Sequence, residues 1–69
     1  MDKGAINAIR KAFSEGPPFN STTIPQRARE KLGDRAHGPE RISEAIDDMV
    51  RSGKLSASPD PNQDWELRD

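Results

Sequence analysis

Apolar residues recur at helical spacing near the start of the chain. Ile6, Ile9 and Phe13 fall at i, i+3 and i+7, which places them on one stripe of a helix. Asp2 suits the first turn of that helix, where the helix dipole favours a negative charge. Gly16, followed by two prolines, ends the pattern, because proline cannot continue the backbone hydrogen bonding of a helix. We therefore predict a first helix that ends before residue 16.

A second helix is predicted after the stretch "FNSTT", which we expect to be a short extended segment anchored by Phe19. Thr23 and Gln26 match a capping box, in which each side chain satisfies a backbone N–H at the helix start. Gly33 supplies a C-terminal cap. The inward positions of this helix are Ile24, Ala28 and Leu32.

The third helix has the clearest pattern in the chain. After a turn, Pro39 tolerates a helix start, with His37 or Gly38 as the expected cap. Gly53 closes the helix. Its predicted apolar stripe consists of Ile42, Ala45, Ile46, Met49 and Val50.

The last residues show a period of two, which is typical of strands. Leu55 and Ala57 alternate with serines, and Trp65 and Leu67 flank a glutamate. The intervening "PDPNQD" is too long for a tight turn and predicts an extended loop. We therefore expect a C-terminal β-hairpin whose Trp65 covers the helices, because a tryptophan is highly buried on average.

Composition limits what so short a chain can be. With 69 residues it forms one domain, 1–69, and only 30% of the residues are apolar, so nearly all of them are needed in the core. There is no cysteine, so neither disulfides nor thiolate metal sites can stabilise the fold. No stretch is apolar enough for a membrane span or a signal peptide. We expect no membrane association and a cytoplasmic or nucleoid-associated protein.

The order of predicted elements resembles that of winged helix-turn-helix domains. The most specific local feature is "IDDMVRSGKL", residues 46–55, followed by "WEL", residues 65–67. In that family a long third helix commonly ends in a Gly-Lys-Leu-like step into the wing, and an aromatic residue often opens the returning strand. The resemblance implies an α+β, mainly α fold: a three-helix winged helix-turn-helix with a C-terminal β-hairpin wing. It also implies binding to double-stranded DNA, as in transcriptional or mobile-element regulators.

The first hypothesis is therefore DNA binding through the region of helix two, the turn and helix three. Residues 1–38 carry seven basic and four acidic residues, a net charge of +3. In a helix-turn-helix, the second element crosses the DNA backbone and the third enters the major groove. One small module buries little surface on DNA, so a homodimer is expected. The residues predicted to contact DNA are Arg27, Arg35, His37, Arg41 and Ser43, and the first four are expected to form one phosphate-facing strip.

The second hypothesis is a protein–protein adaptor or inhibitor. Residues 39–69 carry four basic and eight acidic residues, a net charge of −4. In a DNA-binding winged-helix domain this region should instead be cationic. An acidic third helix and wing would engage a basic protein partner, in one version by imitating nucleic acid. The residues predicted for that surface are Glu44, Asp47, Asp48, Asp60 and Asp64.

Catalytic chemistry has few candidates in this sequence. One histidine and the absence of cysteine and tyrosine leave almost no nucleophile–base pairs. Glu40, Glu44 and Asp47 share a helical face, but carboxylates in a chain with 33% charged residues are usually solvated rather than bound to a cation. We therefore expect no enzyme activity, no cofactor and no metal site.

Overall fold

The computed structural model describes residues 1–68. It contains three helices followed by a two-stranded antiparallel hairpin, which confirms the predicted mainly helical α+β fold with a winged-helix-like layout. The elements are α1 (Lys3–Ser14), α2 (Ile24–Leu32), α3 (Gly38–Arg51), β1 (Leu55–Ser56) and β2 (Glu66–Leu67).

Helix α1 begins and ends where the sequence predicts. The side chain of Asp2 accepts a hydrogen bond from the backbone N–H of Ala5 at 3.2 Å, so it caps the helix N-terminus. The helix gives way at Glu15 to Gly16, whose φ of +94° lies in the left-handed region that favours glycine.

The segment before α2 is a turn rather than the expected extended segment, and the capping box is absent. Asn20, not Thr23, organises this turn: its Oδ1 accepts hydrogen bonds from the backbone N–H groups of Thr22 at 2.9 Å and Thr23 at 3.1 Å. The Thr23 hydroxyl is used elsewhere, because it accepts from Asn20 N at 2.9 Å and donates to the carbonyl of Pro18 at 2.8 Å. An asparagine side chain competes well for nearby backbone N–H groups, which explains the difference.

Phe19 joins this turn to the hairpin. Its carbonyl accepts a hydrogen bond from the backbone N–H of Trp65 at 2.6 Å, and its ring lies 5.1 Å from that of Phe13. The Ser21 hydroxyl adds a further link by donating to the carbonyl of Pro59 at 3.2 Å. The predicted anchoring role of Phe19 is therefore confirmed, although the segment around it forms no strand.

Helix α3 starts at the predicted place but without a side-chain cap from His37. Instead, Asp34 receives the His37 backbone N–H on its Oδ1 at 3.0 Å and that of Gly38 on its carbonyl at 2.6 Å. At the other end, Gly53 adopts φ +76°, and the N–H of Lys54 donates to the carbonyl of Met49 at 2.9 Å.

One position of the predicted α3 stripe is wrong. Val50 is 43% exposed, whereas Ile42, Ala45 and Met49 are buried and Ile46 is half-buried. Two helices and a hairpin with two residues per strand cannot cover the whole width of the stripe, so its edge stays in solvent.

The hairpin covers the core as predicted. Leu55 pairs with Leu67 and Ser56 with Glu66. Trp65 is only 7% exposed, and its Nε1–H donates to the carbonyl of Ser58 at 2.8 Å. The buried core consists of Ala5, Ile6, Ala8, Ile9, Ala12, Ile24, Ala28, Ile42, Ala45, Met49, Leu55 and Trp65.

Candidate functional site

Arg41, expected to contact DNA, is bound within the fold. Its Nε and Nη2 donate to the two carboxylate oxygens of Asp2 at 2.7 and 2.9 Å, and its Nη1 donates to Asp34 at 3.2 Å. The guanidinium therefore ties the start of α1 to the turn before α3. A Cβ at Gly4 would lie 3.2 Å from Nη2 of Arg41, so alanine there would require the guanidinium to shift by a few tenths of an ångström.

The electrostatics of this network follow from its hydrogen bonds. The hydrogen bond from Arg41 lowers the pKa of Asp2 to about 2, with further help from the backbone N–H of Ala5. The backbone N–H of His37, and then Arg41, lower the pKa of Asp34. Asp2 and then Asp34 raise the pKa of Arg41. These charges stabilise one another through pairs within the chain.

Arg27, a second predicted DNA contact, is also used internally. Its Nη1 donates to the carbonyl of Gly16 at 2.7 Å and to that of Ala12 at 3.4 Å, at the C-terminal end of α1. Its Nε lies 3.5 Å from Glu15, which also pairs with Lys31. The hydrogen bond from Lys31 is the main cause of a lowered pKa of Glu15, and Arg27 contributes.

The two arginines are therefore far apart. Arg41 binds at the start of α1 and Arg27 at its end, and a helix of 12 residues is about 18 Å long. The structure does not bring them into one phosphate-facing strip. The other three predicted contacts, Arg35, His37 and Ser43, are exposed around the α2–α3 turn and on α3.

A concave surface lies beside that turn. Its volume is about 580 Å³, and it brings Arg29 and Arg35 together with two acidic side chains. Asp34 is already paired with Arg41 there, which leaves two arginines and one further carboxylate at the surface. Its lining residues are Arg29, Glu30, Gly33, Asp34, Arg35 and Pro39.

The outer face of α3 is acidic, and we call the surface formed by Glu40, Ser43, Glu44, Asp47 and Val50 the α3 face. All five residues are exposed. None of its three carboxylates forms an ion pair with another of the residues 1–68.

The remaining residues predicted for an acidic surface behave differently from one another. Asp48 is half-buried and forms an ion pair with Arg51 within α3, so it adds no net charge to the face. Asp60 and Asp64 are exposed in the hairpin loop, where Asp60 also accepts the backbone N–H of Asn62 at 2.9 Å. The loop from residue 58 to residue 64 carries no lysine or arginine.

A basic groove lies on another part of the molecule, between α1 and Lys54. Its volume is about 280 Å³, and it contains three cationic side chains. The sequence shows Lys3 and Arg10 on one side of a helix, but not that Lys54 lies next to them. The groove is lined by Met1, Lys3, Ile6, Asn7, Arg10 and Lys54.

Among residues 1–68, no group of three histidine or acidic side chains converges well enough to hold a metal ion. No described helix is long and apolar enough to cross a membrane.

Comparison with known proteins finds no matching family model, no matching curated protein and no matching solved structure. The fold and its surfaces define a class nonetheless: a small three-helix domain with a C-terminal hairpin, a winged-helix-like layout and an acidic outer face on its third helix.

Proposed function

We propose that the protein is a binding module of the winged-helix type whose α3 face binds a basic region of a partner protein. The observation that carries this proposal is the internal use of Arg41. The guanidinium of Arg41 forms ion pairs with Asp2 and Asp34, so the unpaired charges on the outer side of α3 are carboxylates.

Electrostatics favour such a partner over duplex DNA at this surface. Helix α3 would enter the major groove in a helix-turn-helix complex, and its outer side would then lie among phosphates. Affinity for DNA depends on cations that replace the phosphate counterions, whereas Glu40, Glu44 and Asp47 would be repelled. A lysine- or arginine-rich protein surface meets these carboxylates with opposite charge.

Val50 gives the α3 face an apolar contact as well as a charge. It follows Asp47 by three residues and Ser43 by seven, so the three residues lie along one side of the helix. Exposed ion pairs contribute only about 0–1 kcal/mol each, so an apolar contact adds materially to affinity. The expected partner segment is therefore basic and carries an apolar side chain.

The experiment is fluorescence anisotropy at low salt, about 20 mM, with a labelled lysine- and leucine-containing peptide of about 15 residues. We expect saturable binding that weakens as salt rises. Glu44→Lys combined with Asp47→Lys should reduce affinity roughly tenfold or more.

The matched control changes the same charge elsewhere. Glu30→Lys combined with Glu66→Lys reverses two exposed carboxylates outside the α3 face and should leave peptide affinity nearly unchanged. Equal loss in both double variants, or no peptide binding by the unmodified protein, would refute the proposal.

Duplex DNA is the second candidate partner, and the concave surface beside the α2–α3 turn favours it. Arg29 and Arg35 lie there next to the start of α3, with His37 exposed nearby. Phosphates are commonly held by arginines and helix N-termini. This hypothesis predicts that the protein binds random duplex DNA at low salt, measured by fluorescence anisotropy, and that the double variant Arg29→Ala with Arg35→Ala loses the binding. It also corresponds to a small cytoplasmic or nucleoid-associated regulator.

A further inference from the structure

The basic groove carries cations at helical spacing along α1. Lys3 and Arg10 are seven residues apart, and Asn7 lies between them on the same side of the helix. A separation of seven residues is about 10 Å along a helix. Lys54 adds a third cation from the other wall, and no acidic residue of the described chain lines the groove.

The α3 face carries acidic residues at the same spacing. Glu40 and Asp47 are also seven residues apart, and Glu44 lies between them on the same side of α3. The two surfaces therefore have opposite charge and the same repeat along their helices. This correspondence needs two molecules, because α1 and α3 of one chain already pack together through their buried sides.

An antiparallel arrangement of α1 against α3 of another copy aligns the complementary residues. In this alignment, the residue numbers of each facing pair add up to 50 or 51. Lys3 then faces Asp47, and Asn7 faces Glu44.

The same alignment also brings together the two exposed large apolar side chains of the described chain. Met1 is 70% exposed and lines the basic groove, and Val50 lies on the α3 face. Met1 precedes α1 by two residues and Val50 is the last residue but one of α3, so both lie at the same end of the antiparallel pair of helices. Their contact would remove apolar surface from water next to the ion pairs.

We propose that the basic groove of one copy docks onto the α3 face of a second copy, head to tail. This inference rests on the proposed function, because it names a second copy of the chain as a basic partner of the α3 face. The two surfaces differ, so each added copy leaves one groove and one α3 face open. Such a head-to-tail contact builds open chains, or a ring where the rotation between copies closes it. Exposed ion pairs are weak, so we expect association at about 1 mM protein and low salt.

The experiment is sedimentation equilibrium of the full chain at about 20 mM and about 500 mM salt. The weight-average mass should rise above 7.6 kDa with protein concentration at low salt and remain at that value at high salt. A groove variant, Lys3→Glu with Lys54→Glu, and a face variant, Glu44→Lys with Asp47→Lys, should each remain monomeric. Circular dichroism checks that each variant is folded.

Mixing the two variants gives the decisive result. The unchanged groove of the face variant can bind the unchanged α3 face of the groove variant. The reversed groove and the reversed face also have opposite charges, so association should return. A control, Lys11→Glu with Arg29→Glu, makes the same charge change as the groove variant at exposed sites outside the groove and should associate like the unmodified chain.

Three results would overturn the inference: a monomeric unmodified chain at low salt, association that persists in either reversed variant, or no recovery on mixing. The peptide titration separates this failure from failure of the proposed function. Peptide binding that depends on Glu44 and Asp47, without self-association, leaves the α3 face as a binding site and removes only the second copy as its partner.

Discussion

At the scale of single residues, the structure distinguishes charges that hold the fold together from charges that face solvent. Arg27 and Arg41 both donate to groups at the ends of α1, and both are partly shielded, with 20% and 35% of the side chain exposed. Arg35 and Glu44 are exposed and belong to no ion pair among residues 1–68. All four look alike in the sequence, since each is a charged residue in or next to a predicted helix.

The network around Arg41 predicts how stability changes in acid. The folded-state pKa of Asp2 is about 2, below its ordinary value of 3.8, so ionised Asp2 stabilises the fold above about pH 4. This contribution is lost progressively as the pH falls from about 4 through 2. Asp34 and Glu15, whose pKa values are also lowered, add to the same trend.

Asp2→Asn should therefore lower the melting temperature at pH 7 and flatten its decline between about pH 4 and 2. Thermal unfolding followed by circular dichroism at a series of pH values measures both effects. Glu44→Gln is the control, since Glu44 forms no ion pair with a described residue. Equal pH profiles for Asp2→Asn and the unmodified chain would contradict the assigned role of Asp2.

At the scale of elements, the start of α2 shows how a local motif can mislead. Thr23 and Gln26 have the spacing of a capping box, yet the Thr23 hydroxyl bonds to Pro18 and Asn20 instead. Asn20 supplies the oxygen that accepts two backbone N–H groups ahead of the helix. Stability at this junction therefore depends on Asn20 rather than on the predicted pair.

Asn20→Ala should lower the free energy of unfolding by about 1 kcal/mol, the usual effect of removing a capping side chain. Gln26→Ala should change it by less than about 0.5 kcal/mol, because Gln26 is exposed and caps nothing. Urea denaturation of both variants measures the difference. A larger loss of unfolding free energy in Gln26→Ala than in Asn20→Ala would support the capping box instead.

The hairpin is a small element whose stability depends on Trp65. Replacing this buried side chain with alanine should cost about 3–5 kcal/mol, which is comparable to the total stability of so small a domain. Trp65→Phe keeps most of the apolar contact but loses the hydrogen bond from Nε1 to Ser58, so about 1 kcal/mol should be lost. Far-ultraviolet circular dichroism in urea should show Trp65→Ala largely unfolded and Trp65→Phe folded. A folded, stable Trp65→Ala would show that the hairpin is dispensable.

At the scale of the whole molecule, the parts that depend on local pattern were predictable from the sequence. The apolar stripes placed three helices, and alternation around Trp65 placed the hairpin. The surfaces depend on contacts between distant residues and were not predictable in the same way. Nothing in the sequence indicates that Arg41 reaches Asp2 or that Lys54 lies beside Lys3.

These long-range contacts redistribute charge between the surfaces. A linear reading places basic residues in the first half and acidic residues in the second, and it assigns Arg27 and Arg41 to one strip. In the folded chain those two arginines are engaged in intramolecular pairs, and part of the exposed charge lies in the basic groove and on the α3 face. The proposed preference of α3 for a basic protein follows from that distribution of charge.

The most direct test of this account is a ¹H–¹⁵N correlation spectrum of the labelled protein, titrated at low salt with the basic peptide and, separately, with duplex DNA. We predict that the peptide shifts the backbone amide signals of Glu40, Ser43, Glu44, Asp47 and Val50, and that these five signals stay in place with DNA. Peptide-induced shifts elsewhere, or DNA-induced shifts along the α3 face, would contradict the account.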